Sequence, residues 1–193
     1  MINGIELVTD RSLSDVEIAK SLIKKGLQGM TDEEKDYFLA GLKGAYNYTD
    51  INRVESAIRY LADRLVAIPD ELRSLADELD VSWMDVFEMP YNQEDYEDIL
   101  TKQDWSVEDI FESADRERYI ENIHLIVQAL NKNYIGLPST LEKMTYKEAN
   151  EIEKSLDDFY NELKREEDYR RNLISSIGIQ WVYYSGEIYG GEA

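Results

Sequence analysis

Apolar residues recur along most of this chain at alternating spacings of three and four, and that rhythm commits the chain to helices. Ile51, Val54, Ile58, Leu61 and Leu65 share one helical face, with Thr49 placed to cap the helix. Tyr119, Ile120, Ile123, Val127 and Leu130 form a second stripe behind a capping Ser113. Ala149, Ile152, Leu156, Phe159 and Leu163 form a third in heptad fashion, opened by the capping box Thr145-Tyr146-Lys147-Glu148. Run to Ser175, that helix is on the order of 45 Å long. Such a length can outreach the domain and meet a partner.

Shorter signals fill the rest. Ser12 or Ser14 opens a first helix whose stripe is Val16, Ala19, Ile23 and Leu27, and Thr31-Asp32-Glu33-Glu34 is a capping box for the next, which Gly41 and Gly44 stop. Pro69 is expected to open a separate short helix over 70–79, because proline is tolerated in a first helical turn. Ile177, Ile179, Trp181, Tyr183, Tyr184, Ile188 and Tyr189, interspersed with Gly186, Gly190 and Gly191, read as strand or extended arm. The expected fold is mainly α: a helical bundle with one long C-terminal helix and a short β-like or extended C-terminal arm. It divides into an N-terminal helical region (1–66), an acidic, aromatic-containing loop-rich segment (67–112), a helical hairpin (113–176) and the arm (177–193), together one domain.

Charge narrows the partners. With 41 acidic against 21 basic residues the net charge is −20, so phosphate backbones and anionic lipid are repelled. Between Ala67 and Asp115, 16 acids face only Arg73 and Lys102. The interleaved Trp83, Met84, Phe87, Met89, Tyr91, Tyr96, Trp105 and Phe111 make this a partly packed segment rather than an acidic tail. No nucleic-acid or membrane binding is expected. The absence of cysteine removes disulfides, thiolate nucleophiles and sulfur-ligated metals. Met1 to Asp10 does not resemble a secretion signal, so Asn47-Tyr48-Thr49 reads as a helix cap rather than a glycosylation site.

Catalytic equipment is sparse. His124 is the only histidine; it closes a Glu121-x-x-His124 unit of the kind di-iron bundles use in two copies, and with one copy it reads as structural. No acidic stretch has calcium-loop spacing, and no glycine loop leads into a phosphate-binding Lys-Ser or Lys-Thr. Neither catalytic residues, metal nor cofactor is expected.

Several segments nevertheless carry a likeness. Thr9-Asp10-Arg11, Asp15-Val16 and the run from Lys43 to Glu55 come first; Trp105 to Ile110 with Arg118 to Ile123 follows; Thr145 to Lys154 is third. The ending Trp181-Val182-Tyr183-Tyr184-Ser185-Gly186-Glu187, with Tyr189, Gly191 and Glu192, agrees in order. Together they resemble a family of small virion structural proteins of phages and prophages of Gram-positive bacteria. Phe111-Glu112-Ser113 stands where that family often has a proline, and the acidic block 67–103 has no counterpart in it. The resemblance implies a tail, tail-tip or baseplate, or fibre-attachment component, located in the virion and made in the host cytoplasm. Its expected partners are other virion proteins and copies of itself. The surfaces expected to meet them are Leu156, Phe159 and Leu163 on the long helix and Trp181, Tyr183, Tyr184, Ile188 and Tyr189 near the end. Within the Lys43–Glu55 run, Arg53 offers a planar fork to a carboxylate or carbonyl of a neighbouring segment, but the run reads first as a local structural turn, since surface ion pairs contribute little. The alternative class is an acidic nucleic-acid mimic that inhibits a host defence or DNA-processing protein, a reading drawn from net charge alone.

Overall fold

The computed structural model describes residues 1–82, 89–131, 136–142 and 144–188, with side chains through Gly178. Among these it is mainly helical: α1 (Leu13–Lys25), a 3-10 turn (Leu27–Gly29), α2 (Asp32–Leu39), α3 (Tyr48–Glu78), α4 (Glu94–Glu97), α5 (Ser113–Gln128) and α6 (Tyr146–Ile188). The class and the long C-terminal helix are as the sequence implied. No described helix is long and apolar enough to cross a membrane.

α3 is the central rod, and α4, α5 and α6 pack around it. The stripe Ile51, Val54, Ile58, Leu61 and Leu65 is buried, and it continues through Ile68, Leu72 and Ala76. That continuity explains why α3 does not break at Pro69 as expected. An interior proline costs roughly 3 kcal/mol, and three further buried side chains on the same face, at about 1.5–3 kcal/mol for each large aliphatic one, outweigh it. The expected boundary near residue 67 therefore falls inside one helix. Leu79 ends it, and Asp80 turns out of the helix with φ 51.

Local capping differs from expectation in two places. Asn47, not Thr49, caps α3: its side-chain oxygen accepts from the Thr49 N–H at 2.8 Å while Asp50 accepts from the Asn47 N–H at 3.0 Å. α5 is capped at Glu112, whose N–H donates to Asp115, and Ser113 instead donates to Glu117. The boxes at Ser12, Thr31 and Thr145 form.

α1 and the residues flanking α2 make a small separate cluster of Ala19, Leu22, Met30 and Leu42. The expected α1 stripe is rotated: Ile23 and Leu27 are exposed, because Met30 and Leu42 meet the Ala19–Leu22 side. Gly44, on the segment leading to α3, packs against the α1 backbone, where a Cβ would lie 2.0 Å from the Asp15 carbonyl oxygen. The chain before α1 runs antiparallel along α6, with the Met1 ammonium at Asp157 (2.8 Å) and the Val8 N–H at Glu153 (2.7 Å).

The arm expected from residue 177 takes a different course. The backbone of α6 stays helical through Ile188, and at Gly178 it packs against Leu79 and Val81 just beyond α3. β-propensity is a weak preference, and here it yields to continuation of a formed helix, whose next bond costs far less than a new nucleus. Residues 189–193 lie outside the described residues.

Candidate functional site

The densest polar constellation lies where the N-terminal arm, the start of α3 and the start of α6 meet. Positions three apart share a helical face, so α3 presents Asp50 with Arg53 and α6 presents Asn150 with Glu153. Arg11, the last arm residue before the α1 cap, enters between them. Its Nη2 donates to Asp50 Oδ1 at 2.7 Å and to Glu153 Oε1 at 2.6 Å. Arg53 donates to Glu153 through Nε and Nη2, both at 2.8 Å, and to Asp50 as well. Asn150 brackets the Arg11 backbone, accepting from its N–H at 3.0 Å and donating to its carbonyl at 2.9 Å. Glu153 is fully buried, Arg11 and Asp50 nearly so.

Two guanidiniums thus cancel two carboxylates, which is the condition for keeping such charges out of water. Burial works against the charge on Arg11 and on Arg53, and their pairing with Glu153 and Asp50 outweighs it, so both sit above the ordinary arginine value. Every carboxylate oxygen of Glu153 is held by a donor. Such a carboxylate is a hinge pin rather than a general base, since a base needs a lone pair facing its substrate.

A second limb extends from the same helix. The Tyr46 and Tyr119 hydroxyls share a hydrogen bond, and burial pushes both phenols well above the usual tyrosine range, so they stay neutral. Asn52 brackets the Trp105 backbone, donating to its carbonyl and accepting from its N–H, both at 2.8 Å. Glu55, fully buried, pairs with Arg118 at 2.9 Å; burial raises its pKa and Arg118 opposes the rise. Arg118 and Asn122 both donate to the Leu100 carbonyl, at 2.7 and 2.9 Å. Side chains of α3 and α5 thereby satisfy the backbone of the acidic segment, which packs through Tyr96, Ile99 and Trp105. Trp83, Met84 and Phe87 lie outside the described residues.

The expected partner surface needs correction. Leu156, Phe159 and Leu163 are buried in this subunit's own core against α3 and α5. They present nothing to a partner, because a lone bundle already uses a heptad seam to close on itself. The side chains of Trp181, Tyr183, Tyr184 and Ile188, and Tyr189 altogether, lie outside the described residues. His124 places Nε2 at 3.1 Å from the Pro138 carbonyl, tying α5 to the following loop. Among the described residues no three His, Asp or Glu converge as metal ligands would.

The sequence alone does not assign the polar pairings of Arg11, Tyr46, Asn150, Glu153 and Tyr119. One signal was present: Glu55 and Glu153 sit beside core positions of their stripes, where an unpaired charge is forbidden. Another is that all five fall in the segments that carry the family likeness.

Comparison with models of protein families, with characterised proteins and with solved structures found no significant match to this chain.

Proposed function

We propose that this chain is a non-enzymatic structural component of a phage particle, in the tail, the tail tip or baseplate, or a fibre attachment, acting through protein–protein assembly. One observation carries the reading. The segments that carry the resemblance, far apart in sequence, are each other's partners in space: Arg11 with Asp50 and Glu153, Tyr46 with Tyr119, Asn52 with Trp105, Glu55 with Arg118. A likeness made of mutually dependent buried contacts is a likeness of fold, and it supports carrying over the family's architectural role. The same contacts consume the functional groups that a catalyst would turn toward a substrate.

The surface for assembly is sought away from the α6 seam. Leu100, Val107 and Ile110 are 74%, 84% and 79% exposed on the loop before α5, and the aromatic residues from Trp181 onward add to the sequence's apolar ending. Repetition in a ring or fibre multiplies modest contacts, so none has to be tight. The test is mass spectrometry of purified particles together with antibody labelling in electron micrographs. The chain is expected in particles at a fixed ratio to the other tail proteins. Its absence from particles, with salt-reversible binding to a basic nuclease instead, points to the acidic inhibitor and overturns the proposal.

A further inference from the structure

Thirteen large apolar side chains are exposed among the described residues, and nine of them fall in two stretches, six in 13–39 and three in 100–110. Apolar residues scattered singly need no partner, whereas clusters of this kind mark surfaces that meet other proteins. The first stretch is the hairpin of α1 and α2, whose own core is only Ala19, Leu22, Met30 and Leu42. On α1, Leu13, Val16, Lys20, Ile23 and Lys24 are spaced by three, four and seven, so they share one face, and it is not the face that carries Ala19 and Leu22. Leu13 and Ile23 are 57% and 58% exposed there. Ile23, which the periodicity reads as facing a core, therefore has none in its own subunit.

Charge selects what covers this face. Residues 13–29 hold three lysines and two acids, in a chain whose net charge is −20. Lys25 pairs with Glu34, while Lys20 and Lys24 are exposed and have no ion pair among the described residues. With these two lysines against one exposed acid, Glu17, the face suits an acidic surface better than a copy of itself. The remaining acids of the hairpin sit on α2. The second stretch is the complement. Residues 92–112 hold eight acids against Lys102, and Lys102 is engaged locally, 2.8 Å from Asp109 and 4.0 Å above the Trp105 ring. Interleaved with the exposed Leu100, Val107 and Ile110 are Asp98, Asp104 and Glu108, all exposed and without an ion pair among the described residues. Both stretches are open in the same subunit, so neither covers the other there. We infer that the Leu13–Lys24 face of α1 docks on the 98–110 surface of a second copy, apolar against apolar and lysines against acids. Each copy offers one surface of each kind, and contact between unlike surfaces is the geometry of rings and filaments.

This inference deepens the assembly reading and rests on it for its biological sense, yet it is tested without particles. The full-length protein is followed by light scattering at about 0.15 M salt, where distant charges are screened and contacts decide. The parent's mass is expected to grow with concentration. Lys20→Glu with Lys24→Glu, and separately Asp104→Lys with Glu108→Lys, should each weaken association about tenfold, because attraction becomes repulsion. Mixing the two doubly substituted proteins in equal amounts restores association, since every surface again meets its opposite. Val107→Ser weakens association without changing charge. All these positions are exposed, so circular dichroism should match the parent, and recovery in the mixture is a result that misfolding does not imitate. A parent that stays monomeric, variants that associate as the parent does, or a mixture that fails to recover overturns the inference. If association fails while the protein is found in particles, this inference falls and the assembly role stands; recovery in the mixture without incorporation gives the reverse.

Discussion

Two ionic clusters join α3 to α6, and they differ in burial rather than in chemistry. At the head, Arg11, Arg53, Asp50 and Glu153 have side chains 1%, 19%, 6% and 0% exposed. Farther along, Arg64 and Arg171 pair with Glu71 and Glu167, with side chains 25%, 35%, 39% and 18% exposed. Arg64 reaches Glu71 across Pro69 at 2.8 Å and Glu167 at 3.0 Å, so the second cluster splints the helix where proline removes a backbone bond. The composition is the same, two arginines and two acids. In the first cluster the side chains are almost closed off from solvent, so each charge depends on its partners; in the second, solvent stands in when a partner leaves. Identical ion pairs are therefore obligatory at one end of the molecule and expendable at the other.

The sharpest way to break this comparison is Glu153→Ala. It strands Arg11 and Arg53 in the core, and loss of one member of a buried charge network costs about 3–5 kcal/mol. Urea unfolding should show that loss as a lower midpoint. If Glu71→Ala costs as much, burial is not what separates the clusters. Gly44→Ala follows in size: the added methyl meets the Asp15 carbonyl carbon at 2.2 Å, so about 1–3 kcal/mol of overpacking is expected, with α1 losing amide-exchange protection first.

Tyr119→Phe leaves the Tyr46 hydroxyl buried without its partner, at about 1–3 kcal/mol. The double change with Tyr46→Phe should recover part of that, which a thermodynamic cycle measures. Glu71→Gln is the smallest, below about 1 kcal/mol, in line with exposed pairs. Its pH dependence has a definite sign. The hydrogen bond from Arg64 lowers the Glu71 pKa from 4.5, so its contribution is present above 4.5 and fades as pH falls through the lowered value. Burial raises the Glu55 pKa above 4.5, so its ionisation penalises the folded state at neutral pH and the penalty is relieved on acidification. Relative to wild type, Glu71→Gln should gain ground in acid and Glu55→Gln should lose it.

Helix type and facing were determined by the sequence wherever a stripe ran long enough. All five apolar positions read for each of the three stripes are buried, those of α3 and α6 within the helix and that of α5 running on to Leu130 just past its end, because a periodic face has one way to leave water. The capping boxes at Thr31 and Thr145 were legible for the same local reason, their donors and acceptors lying three residues apart, whereas at Asn47 and Glu112 a neighbouring hydroxyl residue offered a rival cap. What the sequence left open depends on partners distant in the chain. Whether Pro69 breaks a helix was decided by Ile68, Leu72 and Ala76 finding a core. Whether Leu156, Phe159 and Leu163 face a neighbouring subunit or their own was decided by α3 and α5 already occupying that side. The role of Arg11 was decided by Glu153, 142 residues away. A local pattern fixes which face is apolar; only the assembled tertiary structure fixes what that face, or a buried charge, is set against.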